Sequence, residues 1–478
     1  MRLQSFVGGR WRVSQADREL LQRNPSDPDD VVAEVPAGTR DDVEAAVGAA
    51  SDALPAWRAL TGPARAEHLY RWAGAIAPRG EELAQAMARE VGKPIAEARG
   101  EVTRCVVLLR YYAGEAVRAI GEVLPAQAPG ALQLTLRQPL GVVALITPWN
   151  FPLAIPLWKA APALAFGNTV ILKPAEASSR LATLLAETAL AAELPPGVFN
   201  VVLGEGDPVG ATLVAHQRVR AVSFTGSQAV GARVAAACAA RNVRYQTEMG
   251  GKNVAIVLPD ADLGLAARLT AAGAMRYAGQ KCTATSRAVV DRRVEDAFLA
   301  QLEEAVRALP LGPVTDASSA VGPLISEGAL RRVTEALEAS PGERVLGGAR
   351  AAEPFARGWF LTPTVLRDVP PDAPAAAEEL FAPVLTTFRA RDLDEALELA
   401  NRTPYGLSAS LFTRDLASAL RYLERIEAGM VRVNGDTTGV DPHAPFGGLK
   451  GSSSGSREQG SAAREFYTEL KTVQVNPG

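Results

Sequence analysis

One of the three cysteines differs from the other two in its surroundings. Cys105 and Cys238 lie in apolar helical stretches, where a thiol most simply packs as a small hydrophobic residue. Cys282 lies between a helical stretch and a short strand, with Lys281 and Thr283 beside it. Because polar, positively charged surroundings favour the thiolate, these neighbours suit a nucleophile. The local sequence alone leaves a nucleophile and a small core residue equally open.

Glu248 and Asn150 are held by their neighbours in ways that suit catalysis. Glu248 lies just before Gly250 and Gly251, and paired glycines indicate a constrained bend, which fixes an acid as a general base requires. Asn150 lies between two prolines in TPWNFP, so a rigid loop presents its side-chain amide. A fixed amide N–H stabilises an oxyanion. A buried turn in which Asn150 satisfies backbone groups explains the same residues.

Strand-to-helix junctions supply candidate nucleotide contacts. Thr225, Gly226 and Ser227 end a strand and open an Ala-rich helix, where the helix N-terminus offers free N–H groups to a phosphate. A capped tight turn is the alternative. Lys173 and Glu176 follow another strand, where Glu176 suits a ribose diol and Lys173 a ribose hydroxyl or a phosphate. A solvated charge pair explains these two residues equally well.

A third glycine-rich stretch matches the phosphate-binding motif only loosely. GEGDPVG, residues 204–210, has one residue too many for G-x-G-x-x-G. A match that loose is weak, so no phosphate role is assigned to it.

Length and composition indicate a globular protein of several domains. The 478 residues exceed one ordinary core, so two or three domains are expected. With 47% hydrophobic residues, 22% charged residues and a net charge of −3, the chain has no basic field for nucleic acid. The cysteines are too far apart for a disulfide framework or a metal site, and neither is expected. The N-terminal segment lacks the apolar core of a signal peptide, so a cytoplasmic location is expected.

The apolar stretch 139–172 is longer than the roughly 20 residues that a membrane-spanning helix needs. Four prolines interrupt it, and Asn150 and Lys159 would lie deep in lipid. We therefore predict a buried strand, loop, helix and strand here, and no membrane association.

The elements that must position these residues follow a simple alternation. Helical periodicity dominates from Thr39 to about Gly121; apolar strands then alternate with helices, and the alternation begins again at residue 251. This pattern predicts two α/β lobes, each with a parallel sheet covered on both faces. The C-terminal segment REFYTELKTVQV alternates like an edge strand without a partner nearby in sequence, so another subunit would have to cover that edge.

Taken together, these segments resemble the NAD(P)-dependent aldehyde dehydrogenase family over nearly the whole chain. The resemblance rests on motifs in family order, including PWNFP, GNTVILKPAE, SFTGS, EMGGKN, GQKCTATSR, EELFAPV and HAPFGGLKGSSSGSREQG. It implies an α/β fold with a Rossmann-type NAD(P)-binding domain (1–118 and 139–250), an α/β catalytic domain (251–450) and a small β oligomerisation arm (119–138 and 460–478). It also implies a homodimer or homotetramer joined by that arm.

The resemblance implies that Cys282 is the nucleophile, which attacks an aldehyde to form a thiohemiacetal. The Asn150 amide and the Cys282 backbone N–H would hold its oxyanion. After hydride transfer, Glu248 would activate the water that hydrolyses the thioester to a carboxylic acid. Relatives that pass the acyl group to coenzyme A typically lack this glutamate, so its presence favours hydrolysis.

NAD or NADP is the cofactor that the resemblance implies. The residues implied in binding it are Thr147, Pro148, Trp149, Lys173, Glu176, Thr225, Gly226, Ser227, Met249, Gly250, Glu379 and Phe381. Of these, Lys173 and Glu176 would meet the adenosine ribose, Ser227 the pyrophosphate, and Glu379 with Phe381 the nicotinamide ribose. Glu176 disfavours a 2′-phosphate by repulsion, which leans towards NAD, although many relatives with this motif accept both cofactors.

The motifs look most like the branch that includes 2-oxoglutarate semialdehyde (2,5-dioxopentanoate) dehydrogenases. No arginine lies in 149–158 to anchor a distal carboxylate; Arg110 and Arg287 are alternatives, although each is more simply a structural ion pair. Succinate semialdehyde or a general aliphatic aldehyde therefore stays open as the substrate. The predicted substrate pocket consists of Trp158, Lys281, Thr283 and His443, with core packing as the alternative for Trp158.

Two other classes of function remain as alternatives. A structural or binding relative without activity would most simply have lost Cys282, Glu248 or Asn150, and all three are present. A cofactor-free thiol hydrolase needs a basic partner for its cysteine, and the three histidines match no hydrolase pattern. Enzymatic aldehyde oxidation is therefore the main prediction.

Overall fold

Helices follow the periodic stretches of the sequence in a computed structural model that describes residues 1–118 and 121–477. Polar N-caps start several of them; the Thr39 hydroxyl, for example, accepts a hydrogen bond from the Asp42 backbone N–H at the start of the first helix. The helices are α1 (Arg40–Ala59), α2 (Gly62–Ile76), α3 (Gly80–Val91), α4 (Ile95–Glu115), α5 (Ala154–Ala165), α6 (Ser179–Ala191), α7 (Ala211–Ala215), α8 (Gln228–Ala240), α9 (Leu263–Met275), α10 (Glu295–Arg307), α11 (Glu327–Glu338), α12 (Pro374–Ala377), α13 (Leu393–Asn401), α14 (Leu416–Arg425) and α15 (Gly460–Tyr467).

Strands occupy the apolar and alternating runs between these helices. They are β1 (Ser5–Val7), β2 (Arg10–Arg12), β3 (Glu19–Asn24), β4 (Asp27–Pro36), β5 (Val123–Leu124), β6 (Leu132–Pro139), β7 (Val142–Ile146), β8 (Thr169–Lys173), β9 (Phe199–Val201), β10 (Val219–Thr225), β11 (Arg244–Glu248), β12 (Asn253–Val257), β13 (Thr285–Asp291), β14 (Glu343–Leu346), β15 (Thr364–Arg367), β16 (Val384–Ala390), β17 (Tyr405–Gly406), β18 (Ser408–Phe412), β19 (Met430–Val433), β20 (Leu449–Lys450), β21 (Ser453–Gly455) and β22 (Thr468–Val475).

The first sheet has the strand order β2-β1-β9-β8-β7-β10-β11-β21, and β9, β8, β7, β10 and β11 run parallel. Its strands are buried on both faces because their side chains alternate between two cores. Val142 and Ala144 of β7 pack in the cluster that contains α1, whereas Val143 and Leu145 pack in the cluster that contains α2 to α6.

The second sheet has the strand order β14-β15-β16-β13-β12-β18-β19, parallel except for the antiparallel edge strand β14. Its inner strand β12 alternates in the same way: Ala255 and Val257 face one core cluster, and Val254 and Ile256 face the other. The predicted α/β alternation with parallel sheets covered on both faces is thus confirmed.

A three-stranded antiparallel sheet, β22-β6-β5, brings together the two chain segments of the predicted arm. Strand β22 pairs with β6 from Thr468 opposite Pro139 to Val475 opposite Leu132. The C-terminal segment therefore finds its partner more than 300 residues earlier in the chain. Residues 119, 120 and 478 of the predicted arm lie outside the described residues.

The apolar stretch 139–172 forms β7, a loop, α5 and β8, as predicted, and every residue of α5 is buried. Within the described part of the chain, no helix has the length and apolarity that crossing a bilayer demands.

Candidate active site

Four strands of the first sheet deliver predicted site residues to one place. Because β7, β8, β10 and β11 are parallel, their carboxyl ends meet at the same edge of the sheet. That edge carries Thr147 after β7, Lys173 at the end of β8, Thr225 at the end of β10 and Glu248 at the end of β11. The backbone N–H of Thr147 donates to the Lys173 carbonyl at 3.1 Å, and that of Gly226 donates to the Glu248 carbonyl at 3.0 Å.

A cleft of about 550 Å³ opens at this edge and reaches the second half of the chain. It brings together residues that are up to 233 positions apart (381 − 148). The predicted residues that line it are Pro148, Trp149, Asn150, Thr225, Gly226, Ser227, Met249, Gly250, Cys282, Glu379 and Phe381. Residues that the sequence analysis did not select also line it, and they include Gln280, Ile325, Ser326, Arg332 and Glu378.

Cys282 lies in a loop, residues 277–284, that we call the nucleophile loop. The loop starts with Tyr277, Ala278 and Gly279 in the left-handed region, at φ of 56°, 51° and 65°. The Cys282 side chain is half-buried and packs against an apolar cluster that contains Phe446. Its backbone carbonyl accepts a hydrogen bond from Asn253 Nδ2 at 2.8 Å, which fixes the loop to the start of β12.

The electrostatic surroundings of Cys282 favour its protonated thiol over the thiolate. Burial raises the pKa of the thiol, and the carboxylates of Glu379, Glu248 and Glu458 raise it further. The flanking Lys281, which suggested thiolate stabilisation in the sequence, is engaged elsewhere. Its ammonium lies 3.2 Å from the Glu97 carboxylate.

Asn150 lies in a second loop, residues 147–153, that we call the amide loop. The side chain is buried, and Nδ2 donates a hydrogen bond to the backbone carbonyl of Gln280 at 3.0 Å. This bond joins the amide loop to the nucleophile loop two residues before Cys282. An amide nitrogen carries two N–H groups, so one remains for a ligand in the cleft.

Glu248 lies at the end of β11, directly before Met249 and Gly250 of the cleft wall. Its Oε2 atom accepts a hydrogen bond from the Ser453 hydroxyl, and its Oε1 atom has no hydrogen-bond partner among the described residues. A Cβ atom on Gly447 would lie 2.8 Å from Oε1, so only glycine leaves the carboxylate this space. Burial raises the pKa of Glu248 well above its usual range, and the nearby Glu458 raises it further.

A buried ion pair lies behind Glu248, and the sequence analysis did not predict it. Lys159 of α5 pairs with Glu458, and both side chains are buried. Glu458 also accepts hydrogen bonds from Trp158 Nε1 at 2.8 Å and from Ser223 Oγ and Gln246 Nε2 at 3.2 Å each. The sequence feature that could have predicted this pair is a lysine inside an otherwise apolar helix, because a buried ammonium requires a partner.

The cleft fits a dinucleotide cofactor at several points. The Thr225 hydroxyl is buried without a hydrogen-bond partner in the described residues, which leaves it available for a ligand in the cleft. The Thr147 hydroxyl is also buried without a partner in that part of the chain, but Thr147 is not among the residues that line the cleft. Ser227 precedes α8 but its hydroxyl does not cap that helix, so the hydroxyl and the helix N-terminus are both available for a phosphate.

The opposite end of the cleft carries Glu379 and Phe381. A Glu379 oxygen accepts a hydrogen bond from the Gly251 N–H at 3.1 Å, and a Cβ atom on Gly250 would lie 1.7 Å from this carboxylate. Burial raises the pKa of Glu379 to about 7. The Phe381 ring packs edge-on against Trp149 at 5.6 Å between ring centres.

A second cavity of about 390 Å³ lies between α7 and α8. Its walls include Lys173 and the apolar side chains of Val214, Val230 and Val234. They also include Gly206 and Gly210 of the stretch 204–210, to which no phosphate role was assigned. Lys173 Nζ lies 2.8 Å from a Glu176 carboxylate oxygen at its edge. Of the predicted cofactor residues, Lys173 thus lines this cavity, most of the others line the cleft, and Thr147 and Glu176 line neither.

The four residues predicted for the substrate pocket are not among those that line the cleft. Trp158 is buried, donates to Glu458 and packs on Phe446 at 5.4 Å, which is the core packing given as its alternative. Thr283 is buried and its carbonyl accepts a hydrogen bond from the Thr437 hydroxyl at 2.7 Å. Lys281 pairs with Glu97, and His443 is exposed in the loop before β20.

Neither alternative arginine is placed to anchor a substrate carboxylate. The buried Arg287 guanidinium donates to the backbone carbonyls of Lys252, Leu399 and Ala400 at 2.8 to 3.0 Å. It is therefore structural, as expected, but its partners are carbonyls and not an acidic side chain. Arg110 is exposed on α4.

Comparison with known proteins gives consistent matches over the full length. The model of the aldehyde dehydrogenase family matches residues 11–473. An alpha-ketoglutaric semialdehyde dehydrogenase of Bacillus subtilis strain 168 is 43% identical over 99% of this chain and 98% of its own length. A succinate-semialdehyde dehydrogenase [NADP(+)] of Escherichia coli strain K12 is 39% identical over 99% of this chain and 98% of its own length.

Solved structures match the fold equally closely. An NAD-dependent aldehyde dehydrogenase from Sinorhizobium meliloti superposes with a TM-score of 0.95 at 38% identity, over 100% of this chain and 96% of that one. The fold is thus one that a solved aldehyde dehydrogenase shares.

Proposed function

Because the chain belongs to the aldehyde dehydrogenase family, we propose that Cys282, Asn150 and Glu248 together oxidise an aldehyde to a carboxylic acid with NAD or NADP. The observation that carries this proposal is the convergence of Cys282 and Asn150 on one cleft, with the unpartnered Glu248 oxygen behind it. The three residues come from β7, β11 and the loop before β13, and only the fold brings them together.

In the first step, the Cys282 thiol gives its proton to water in the cleft, and the resulting thiolate attacks the aldehyde carbon to form a C–S bond. The carbonyl oxygen becomes an oxyanion, and the free N–H of the Asn150 amide with the backbone N–H of Cys282 stabilises it. The Gln280 carbonyl orients the amide for this function because it accepts the other N–H. Fixed donors stabilise the developing charge without reorganising during the reaction.

A bound nicotinamide dinucleotide supplies the two-electron oxidation that turns the thiohemiacetal into a thioester. Glu379 and Phe381 would hold its nicotinamide ribose, and Thr225, Gly226 and Ser227 its pyrophosphate. The second cavity, with its valine walls, fits the adenine, and Lys173 with Glu176 fits the adenosine ribose. The Glu176 carboxylate would repel a 2′-phosphate, which favours NAD over NADP.

In the last step, Glu248 accepts a proton from water, and the resulting hydroxide attacks the thioester carbon. The C–S bond breaks, the carboxylic acid leaves, and the sulfur is free for another turnover. The unpartnered Oε1 atom is the acceptor for this proton. A carboxylate whose pKa is raised by burial is a stronger base once it is ionised, so the burial of Glu248 supports this function.

For the substrate, we propose a short aldehyde acid, and 2-oxoglutarate semialdehyde in particular. The support is the Bacillus subtilis relative, whose identity to this chain exceeds that of the succinate-semialdehyde relative. The alternative is succinate semialdehyde or a general aliphatic aldehyde. The roles of Trp158, Lys281, Thr283 and His443 in this pocket stay predictions.

A panel of three aldehydes tests the substrate proposal. The value of kcat/KM would be measured from absorbance at 340 nm with 2-oxoglutarate semialdehyde, succinate semialdehyde and pentanal, each with NAD and with NADP. We expect the first aldehyde with NAD to give the highest value. A pentanal value equal to or above the others would overturn the aldehyde-acid proposal, and the absence of turnover with every aldehyde would favour an inactive relative.

We further propose that the three-stranded arm joins this chain to a second copy in a homodimer or homotetramer. Leu132 and Leu136 of β6 and Leu470 of β22 are exposed on it, and β19 leaves the edge of the second sheet unpaired within the described residues. The domain limits given above, with the arm at 119–138 and 460–478, are part of this proposal. Analytical ultracentrifugation of the full chain and of Leu136→Glu tests this assembly, and a monomer at micromolar concentration would overturn it.

We also propose a cytoplasmic location. The three cysteines are free, and a thiol nucleophile that must stay reduced fits a reducing compartment. Fractionation of cells that produce the protein, followed by immunodetection in the soluble cytoplasmic and the membrane fractions, tests this proposal. Recovery of the protein in a membrane fraction would overturn it.

A further inference from the structure

Helix α4 holds the nucleophile loop through a carboxylate. Glu97 Oε2 lies 3.2 Å from the Nζ atom of Lys281, the residue directly before Cys282. The Lys281 side chain is 9% exposed and that of Glu97 is 25% exposed, so solvent screens this pair little. The Lys281 ammonium is thereby turned towards α4, and the loop that carries the nucleophile is fixed to the helix.

The same face of α4 holds the amide loop through a second carboxylate. Glu101 lies four residues after Glu97, one helical turn away, so both side chains project in the same direction. Glu101 Oε1 accepts hydrogen bonds from the backbone N–H groups of Leu153 at 3.0 Å and Ala154 at 2.9 Å. These groups are the end of the amide loop and the start of α5, three and four residues after Asn150.

Lys93 completes this cluster and contacts both loops. Its ammonium pairs with Glu101 Oε2, and both side chains are buried. The Nζ atom also lies 3.9 Å from the ring centre of Phe151 in the amide loop and 4.5 Å from that of Tyr277 in the nucleophile loop. The cluster of Lys93, Glu97, Glu101 and Lys281 contains two positive and two negative groups, so its charges balance.

The nucleophile loop needs such external support. Tyr277 and Ala278 have side chains and yet adopt left-handed φ values of 56° and 51°, which strain the backbone. Strained conformations of this kind persist only where surrounding contacts impose them. The Tyr277 ring is held under Lys93 and packs edge-on against Phe151 at 6.4 Å.

We propose that Glu97 and Glu101 are positioning residues that keep the nucleophile loop and the amide loop in register, so that Cys282 and Asn150 meet the same substrate atom. This inference rests on the proposed function for its kinetic consequences. Neither carboxylate touches the substrate; each acts through the loop that it holds. A displacement of about 1 Å between reacting groups is enough to lower a rate about 100-fold.

Epistasis tests whether Glu101 acts through Asn150. We expect Glu101→Gln to lower kcat by about 10- to 100-fold while the KM for NAD stays within about twofold. In the Asn150→Ala background, the same substitution has no further effect, because the amide that it positions is gone. A multiplicative loss in the double variant would overturn the proposal, since it would show an effect independent of Asn150.

Glu97 gives a parallel test that survives if Glu101→Gln fails to fold. Glu97→Gln is expected to lower kcat about tenfold, and to have no further effect in the Lys281→Met background. Glu115→Gln is the matched control: it changes a buried carboxylate of the same helix, which pairs with Arg118 away from both loops. Equal losses in the control and in Glu97→Gln would overturn the proposal.

Hydrogen–deuterium exchange gives a readout that does not depend on aldehyde oxidation. We expect Glu97→Gln to raise the exchange of amides in 277–284 by at least about threefold, and Glu115→Gln to leave it unchanged. Unchanged exchange in Glu97→Gln would overturn the proposal. If the wild-type enzyme oxidised no aldehyde, the proposed function would fail, while this exchange measurement would still decide how α4 holds the loop.

Discussion

Two buried lysine–glutamate pairs lie near the candidate active site, and they differ in the groups from which their carboxylates accept hydrogen bonds. Glu458, paired with Lys159, accepts hydrogen bonds from side chains. Glu101, paired with Lys93, accepts the backbone N–H groups where α5 begins. Burial lowers the pKa of both lysines. The same chemical pair is thus used in two different ways.

This difference indicates that the two buried ion pairs near Cys282 have separate functions. The Lys159–Glu458 pair lies close enough to Glu248 to influence its pKa, so it sets the electrostatics of the base. The Lys93–Glu101 pair is anchored to backbone, so it sets geometry. Buried ion pairs add little to stability compared with apolar packing, and a functional explanation for each pair is therefore more economical.

The largest loss of activity should come from substitution of Cys282, because the base and the amide that the two ion pairs affect both serve the reaction at its sulfur. We expect Cys282→Ala to lower kcat by about 10⁴-fold or more, because no covalent bond to the aldehyde can form. NADH formation at 340 nm measures it, with Cys238→Ala, a buried cysteine of α8, as the matched control. Full turnover in Cys282→Ala would show that Cys282 is not the nucleophile. The two ion pairs would then have no shared catalytic residue to act on.

The next largest effect should separate the base from the nucleophile. Glu248→Gln should lower the steady-state kcat by about 10²- to 10³-fold and retain a burst of about one NADH per active site, because only thioester hydrolysis needs the base. Rapid mixing with excess aldehyde measures the burst. If the burst disappeared together with the turnover, Glu248 would act before thioester hydrolysis.

The smallest effect should be a difference between the two ion pairs in how their loss changes the pH dependence of kcat. Glu248 must be ionised to accept a proton, so kcat limited by hydrolysis rises as pH rises through its raised pKa. Glu458→Gln removes a negative charge that raises this pKa. The rising limb should therefore move to lower pH by about one unit.

Glu101→Gln is the matched variant for this measurement. It should lower kcat at every pH and leave the rising limb where it is, because it changes geometry and not the charge near Glu248. The pH dependence of kcat between pH 6 and 10 checks both variants, at a temperature where circular dichroism shows each to be folded. A shift of the limb in Glu101→Gln alone would reverse the assignment of the two pairs.

Sequence motifs were enough to predict the family and the α/β fold, and both are confirmed. Eleven of the predicted site residues line the cleft, because strand-end positions in parallel sheets converge at one edge, and the roles of these residues stay predictions. The prediction was weaker where side chains are long and flexible. Lys281 was assigned to the substrate pocket from its place beside Cys282, and the structure shows its ammonium at Glu97, 184 residues earlier.

The sequence by itself determined which groups are available: one cysteine outside an apolar helix, an amide between prolines, and an acid before paired glycines. It also determined the alternation of strands and helices, because strands that are buried on both faces consist of apolar residues and are recognisable as apolar runs. Only the tertiary structure decided which carboxylate acts on which group. Glu97, Glu101, Glu458 and Glu248 are the same residue type, and their hydrogen-bond and ion-pair partners depend on contacts between residues far apart in the chain.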